Sequence, residues 1–379
     1  MSWPFRLSTP IYMSFDRRPD RQEALRRRLP TRGLNALLVT HLPNLRYLTG
    51  FSGSAALLLV TGDRTVLLTD SRYSLQARQE AGAVADVEIE PTNLWDRLRR
   101  VLNEMEFGDS ADRIALGFEP DHLTVALAER LKSAHAGRSE PVEGLVEELR
   151  ITKDVQEVEA IRSAGRLAVE AVDAVLPTIR VGDTERAIAG RLEFALRERG
   201  SEWHPFPTIV ASGPRSALPH ALTTERPVGR GELLLIDFGA QLGGYCADLT
   251  RTVVVGAPPD GRQLEVFDAV RAAKDEAVEG LRPGMAGREI DALARNVLEQ
   301  RGFGGAFTHS LGHGLGLEVH ENPRLARSSE VPVPVGAVVT IEPGAYLEGW
   351  GGIRLEDDVV VTQAGAEYLS TPSPELLAL

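Results

Sequence analysis

The segment LLLIDFGAQLGGYCADLTRTVVV, residues 233–255, constrains the chain more than any other. Two apolar runs flank QLGG, which predicts an antiparallel hairpin. A turn centred on Leu242-Gly243 sets Asp237 directly opposite Asp248. Opposed residues share a sheet face, with Cβ atoms about 4.5–5.5 Å apart. Two carboxylates there repel each other, and strands disfavour aspartate. The bland alternative makes one aspartate exposed and the other a turn residue. Two aspartates in register within apolar strands make it the weaker reading. A cation between them removes the conflict.

Two further segments add carboxylates of the same kind. VVTIEPGAY places Glu342 at the end of an apolar strand. GGIRLEDDVVVT places Arg354 and Glu356 two apart on one strand face, with Ile353 and Leu355 on the other. Either glutamate alone would be read as solvent-facing. That reading weakens when four carboxylates all sit at strand positions bordered by buried-type residues.

HSLGHGLGLEVHENP, residues 309–323, holds three of the chain's eight histidines. His313 lies between Gly312 and Gly314, which permit close backbone approach or positive φ. For one histidine, a hydrogen-bonded structural role is the commoner case. Beside four carboxylates, it completes an oxygen-rich ligand set with a single nitrogen. Four carboxylates balance two divalent ions and leave room for a bridging hydroxide. Such ligands favour Mn2+, with Co2+ or Zn2+ as alternatives, over a thiolate-preferring metal. Bridged ions about 3.5–4 Å apart activate water and stabilise the oxyanion of amide hydrolysis.

Composition bounds the rest. The 379 residues carry a net charge of −12, so the general field does not attract nucleic acid. The arginine clusters DRRPDRQEALRRRLP and WDRLRR are interleaved with acids and read as solvated helix faces. No apolar run approaches the ~20 residues that span a bilayer. The start lacks the apolar stretch of a secretion signal, and the single cysteine, Cys246, suits a reducing compartment. The expectation is a cytoplasmic protein with no membrane or nucleic-acid partner. The first 14 residues match no pattern.

Strand and helix patterns alternate to about residue 138, which predicts a compact α/β domain. The pattern then changes, with the boundary near 140–152, giving domains 1–145 and 146–379. The second has long helical stretches near 154–176, 184–199, 262–280 and 287–301. Its strands group as hairpins between them, which predicts an α+β fold with an antiparallel sheet.

Asp237 and Asp248 eleven apart, then GHGLGLEVHE, then IEPG, then GIRLED, together resemble the pita-bread metallopeptidases. That superfamily includes methionyl aminopeptidase, aminopeptidase P, prolidase and the metal-free creatinase. The likeness spans roughly residues 150–370. NLRYLTGFSGSAALLLV and TDSRYSLQA resemble the N-terminal domain of aminopeptidase P, prolidase and creatinase. FPTIVASGPRSALPH resembles the Xaa-Pro peptidase stretch that leads to a substrate-side histidine, His220.

The resemblance implies roles. Asp237 chelates one metal, His313 and Glu342 the other, and Asp248 and Glu356 bridge both. His220 and His320 line the substrate and stabilise the tetrahedral intermediate. His309 lies at the proline side as a further hydrogen-bonding arm. Arg354 is a substrate-side arginine that orients a carboxylate. Glu342 is also the candidate proton shuttle. A homodimer is the family expectation. Asp70, Arg72 and Tyr73 reach a neighbouring subunit or cap a helix. His204 reads as a loop residue and Cys246 as a buried thiol sharing a face with Asp248. His41, His122 and His135 carry no signal.

The leading expectation is an Xaa-Pro aminopeptidase acting on peptides with proline second, with a bridging hydroxide as nucleophile. The alternative is an Xaa-Pro dipeptidase. A creatinase-like or non-catalytic protein would lack ligands, and here none is missing.

Overall fold

The computed structural model describes residues 16–105, 115–135, 137–373 and 375–379. The N-terminal stretch that matched no pattern lies outside them. The chain divides into two compact units, Met1–Leu149 and Arg150–Leu379. No helix among the described residues is long and apolar enough to cross a membrane.

The first unit is built on strands β1 (Ala36–Val39), β2 (Ala56–Thr61), β3 (Thr65–Thr69), β4 (Asp86–Ile89), β5 (Leu116–Phe118) and β6 (Ser139–Pro141). They form one sheet in the order β4-β3-β2-β1-β5-β6. Strands β1, β5 and β6 run parallel, and β2 is antiparallel to both its neighbours. The sequences ALLV, ALLLVT and TVLLT of β1–β3 are buried at every position, as runs apolar on both faces must be. Helices are α1 (Arg18–Arg28), α2 (Leu42–Thr49), α3 (Ser74–Glu80), α4 (Leu94–Glu104), α5 (Val125–Ala134) and the one-turn α6 (Glu147–Arg150). Trp95, Leu98 and Leu102 of α4 pack on Leu38, Leu59 and Leu68 of the sheet. Asp70 accepts the Arg72 N–H at 3.0 Å, which is a helix-cap arrangement.

The second unit contains helices α7 (Val155–Val175), α8 (Glu185–Glu198), α9 (Gly261–Gly280) and α10 (Gly287–Gln300). Its strands are β7 (Ile209–Ser212), β8 (Glu232–Leu242), β9 (Tyr245–Val255), β10 (Gly312–Gly314), β11 (Glu321–Leu325), β12 (Val338–Ile341), β13 (Gly344–Leu347), β14 (Gly351–Arg354), β15 (Asp357–Thr362) and β16 (Gly365–Tyr368). They pair as β7-β8-β9, β11-β10-β12-β15-β16 and β13-β14.

Strand alternation decides where the polar groups go. Leu234, Ile236 and Phe238 of β8, with Ala247, Leu249 and Val253 of β9, pack into a core shared with α7 and α8. The intervening Asp237, Asp248 and Thr250 therefore project from the opposite face. Val339 and Ile341 of β12, with Val359 and Val361 of β15, share a core with α9 and α10. That leaves Thr340 and Asp358 on the other side. A bridge between Thr250 and Glu356 joins β9 to the chain just before β15, so the two polar faces meet. Burying each large apolar side chain contributes about 1.5–3 kcal/mol. These two cores hold carboxylates in a place they would otherwise avoid.

The hairpin register corrects one expectation. Gly243 and Gly244 have φ of 58° and 82°, and Leu242 pairs with Tyr245. The turn is centred one residue later than expected. A tight turn with two positive-φ positions takes glycine at both and would strain Leu242. Asp237 therefore opposes Thr250, and Asp248 opposes Gly239. The aspartates lie diagonally on one face, where neighbours are about 7–8 Å apart. That spacing leaves room for more than one ion.

Candidate metal centre and active site

The sheet faces bring Asp237, Asp248, His313, Glu342 and Glu356 together. Asp237, Asp248 and Glu356 are buried. Asp248, His313 and Glu356 each offer a ligand atom within 4.8 Å of the others. His313 Nε2 lies 3.8 Å from Asp248 Oδ2 and 3.4 Å from Glu342 Oε1. The His313 Nδ1–H donates to the Gly314 carbonyl at 3.0 Å, which leaves the Nε2 lone pair facing the carboxylates. Burial, then the neighbouring His320, pushes His313 down to about 4, so it is neutral at pH 7.

The two flanking glycines serve close approach. A Cβ on Gly312 would sit 2.0 Å from the Thr340 carbonyl oxygen, and one on Gly314 2.3 Å from that of Asn322. Neither has a positive φ. Of the two reasons that sequence offered, the structure uses one.

The electrostatics are costly as they stand. Burial, then the charges of Glu356 and Asp237, holds the Asp248 carboxyl well above its ordinary range. Glu356 is raised by burial, then by Glu342 and Asp237. Burial pushes Glu342 up to about 8 against the pull of Arg354. Burial also raises Asp237, again opposed by Arg354. Asp237 Oδ1 is buried without a hydrogen-bond partner. Buried, mutually repelling carboxylates with a bare oxygen are stabilised by cations. Four carboxylates and one neutral imidazole fit two divalent ions.

Two of the carboxylates, and the backbone of a third ligand, are held by residues that the sequence reading missed. Thr250 Oγ1 donates to Glu356 Oε2 at 2.5 Å, and Thr340 Oγ1 to Glu342 Oε1 at 3.3 Å. The Asp248 backbone N–H donates to Asp358 Oδ2 at 3.1 Å. A signal was present. Asp248 and Thr250, Thr340 and Glu342, and Glu356 and Asp358 are each two apart, hence on one strand face.

Arg354 is engaged within the site. Its side chain is 3% exposed, and its donors are spent inside the protein. Nη2 donates to Asp237 Oδ2 at 2.5 Å, Nε to Thr250 Oγ1 at 3.0 Å, and Nη1 to the Pro219 carbonyl at 3.1 Å and the Tyr346 hydroxyl at 2.9 Å. The carboxylate it contacts here is that of Asp237. Through Pro219 it also holds the backbone next to His220.

His309 is likewise engaged. Its Nδ1–H donates to the Ser310 carbonyl at 2.7 Å, and its Nε2 accepts from the Tyr346 hydroxyl at 2.8 Å. Both ring nitrogens thus have partners within the protein. What it can offer a substrate is its ring. His220 and His320 are exposed. The His320 ring lies 4.4 Å from that of His313, edge to face. His204 stacks on Trp203 at 4.5 Å.

Tyr346 links Arg354 to His309, and no sequence signal marked it. Tyr346→Phe leaves the His309 Nε2 without its donor. An unmet buried acceptor costs about 1–3 kcal/mol. Turnover, as kcat/KM, is expected to fall roughly tenfold with bound metal unchanged. Equal kinetics for the two proteins would remove this relay from the site.

Behind Glu356, Asp357 points to the opposite side of the strand. It is fully buried and accepts from Arg251 Nη2 at 2.8 Å, from Ser370 Oγ at 2.8 Å, and from the Lys274 ammonium. Arg251 Nη1 in turn donates to the Glu356 carbonyl at 2.7 Å.

Comparison with known proteins identifies the family and the fold. Residues 159–363 match metallopeptidase family M24, and residues 21–152 match the creatinase/prolidase N-terminal domain. An Xaa-Pro dipeptidase of Pyrococcus horikoshii is 35% identical over 91% of this chain and 95% of its own. The structure of an Xaa-Pro dipeptidase from Bacillus anthracis superposes with a TM-score of 0.91 at 36% identity, covering 96% of this chain and 100% of that one. An X-Pro aminopeptidase structure from Thermotoga maritima gives 0.85 at 36% identity, covering 92% and 98%.

Proposed function

As a member of metallopeptidase family M24, in the pita-bread fold with a creatinase/prolidase N-terminal domain, this chain, we propose, is an Xaa-Pro dipeptidase. The observation that supports the hydrolase reading is the gathering of Asp248, His313 and Glu356, with Glu342 beside His313 and Asp237 on the same sheet face as Asp248. The creatinase-like and non-catalytic readings each need one of them missing.

The choice of a dipeptide substrate revises the sequence expectation, which favoured an aminopeptidase. Two observations support it. The relatives from Pyrococcus horikoshii and Bacillus anthracis are both Xaa-Pro dipeptidases. In addition, Arg324 pairs with His313 across β10 and β11 and is exposed. Its charge acts on both His313 and His320. Its side chain makes no hydrogen bond or ion pair with any described residue. A free guanidinium beside the site suits the terminal carboxylate of a dipeptide. The Thermotoga maritima aminopeptidase, at the same identity as the Bacillus enzyme, supports the second reading.

Asp237, Asp248, His313, Glu342 and Glu356 would hold two divalent ions, with Mn2+ proposed and Co2+ or Zn2+ as substitutes. Such ions polarise the scissile carbonyl and acidify a water. The residues of the chain do the rest. An Xaa-Pro bond has no N–H, so the site recognises the ring instead, a role assigned in this reading to the His309 ring. His220 and His320 donate to the carbonyl oxygen as charge develops on it. Glu342 Oε2, the oxygen that Thr340 does not hold, carries the proton to the departing proline nitrogen.

A substrate series with Mn2+ tests this. Xaa-Pro dipeptides should turn over well and Xaa-Pro tri- and tetrapeptides poorly, with Xaa-Ala peptides inert. Turnover of the longer peptides at rates equal to the dipeptides would establish the aminopeptidase instead. Arg324→Gln should raise the dipeptide KM roughly 10- to 100-fold, the worth of a charged hydrogen bond, with kcat changed little. An unaltered KM would remove Arg324 from the carboxylate site.

A further inference from the structure

The first unit gathers a second group of metal-ligating side chains from residues in which the sequence showed no pattern. His41 follows β1 and stands at the start of α2. His122 ends a short helical turn, Pro120–His122, that follows β5. Glu147 begins α6. Strands β1 and β5 are parallel neighbours, so His41 and His122 emerge at one carboxyl end of the sheet. In open α/β sheets that edge is where ligands bind.

The three side chains each offer a ligand atom within 4.8 Å of the others. The two imidazole rings stack with centroids 3.4 Å apart and planes at 4°. His41 Nδ1 lies 4.0 Å from Glu147 Oε1. The surroundings hold this arrangement. Glu119 is buried, and its Oε2 accepts the backbone N–H groups of Thr40 at 2.7 Å and His41 at 2.8 Å. Asn44 Nδ2 donates to Glu119 Oε1 at 2.7 Å and also to Glu147 Oε1. Two carboxylates thus flank one amide. Burial first, and also the charge of Glu147, raises the Glu119 carboxyl above its ordinary range.

We propose that His41, His122 and Glu147 form a further metal site, which takes one divalent ion of the zinc class. Two imidazoles and a carboxylate suit such an ion better than Mg2+ or Ca2+, and three protein ligands leave a position for water. Parallel rings do not aim their lone pairs at one point. Binding therefore turns the exposed His122 ring out of the stack, while His41, its side chain 12% exposed, keeps its place. The ion ties the start of α2 and α6 to the loop after β5. It is separate from the carboxylate cluster, and the proposal does not depend on the peptidase reading.

The test is equilibrium dialysis of the full chain against Zn2+, with metal counted per chain, for wild type, His122→Ala and Glu147→Gln. Wild type should hold one more ion than either variant, or bind that ion at least about tenfold more tightly, since loss of even an outer partner costs that much. Zn2+ should also raise the melting temperature of wild type in a step that both variants lack. Asp248→Asn should keep this ion while losing those of the carboxylate cluster. Hydrolytic activity should be the same in wild type and His122→Ala. Equal metal content and equal Zn2+ response in wild type and either folded variant would overturn the site. Glu147→Gln keeps the shape of the side chain, so it decides between these outcomes if His122→Ala misfolds.

Discussion

Asp248→Asn is expected to abolish turnover and, in the same protein, to raise the melting temperature of the metal-free form. The two effects have one cause. Asp248 is buried, and its carboxyl is raised by burial and by the charges of Glu356 and Asp237. Asparagine keeps the volume, and its backbone N–H still reaches Asp358. It removes one charge from a group of repelling carboxylates, so the empty protein gains stability. It also removes the proposed bridging ligand. Outer partners of metal ligands cost 10- to 100-fold when lost, so a bridging ligand should cost more than about 100-fold in kcat/KM. Metal content should fall with it. A folded variant that keeps two ions and more than a few per cent of activity would show that Asp248 does not bridge.

Asp357→Ala is expected to produce the largest loss of stability. The carboxylate is fully buried, and its partners Arg251 and Lys274 have side chains 6% and 2% exposed. Removing it strands two buried cations. Breaking a buried ion pair costs about 3–5 kcal/mol, on the order of 10 °C in melting temperature for a unit of this size. Activity should fall as well, because Arg251 also holds the Glu356 carbonyl. Chemical denaturation of wild type and variant checks the first effect; a loss under about 1 kcal/mol would refute the argument. The pH dependence has a definite sign. Burial works to raise the Asp357 carboxyl, but Arg251 and Lys274 outweigh it and hold it below its ordinary value. The folded state therefore binds this proton less readily than the unfolded chain. The contribution is complete above the unfolded value of about 3.9 and disappears as pH falls through the depressed folded value.

Much of the site was legible because charge in the wrong place is a strong signal. Aspartates inside LLLIDFGAQ and YCADLTRT, and glutamates in VVTIEPG and GIRLEDD, break an apolar pattern that otherwise marks strands. Period-two alternation then aims them at one face, and His313 between two glycines follows in the same way. What the pattern could not supply was partnership. The register of the hairpin depended on Gly243 and Gly244 rather than on symmetry of charge. Arg354 looked available to substrate, yet its donors go to Asp237, Thr250, Pro219 and Tyr346, which are 8 to 135 residues away in sequence. Arg324 lies outside every motif that the sequence marked.

Sequence alone thus determined the types of element, the two-part organisation and the existence of a buried carboxylate cluster with one imidazole. These rest on local rules: alternation, turn chemistry and the cost of burying charge. Tertiary structure alone decided which donor meets which acceptor. It occupied His309 and Arg354, left Arg324 free, and brought His41, His122 and Glu147 into one group across more than a hundred residues of chain. Those outcomes depend on how strands from distant parts of the chain align. A hydrogen bond or ligand contact exists or fails over a fraction of an ångström, and no local pattern carries that distance.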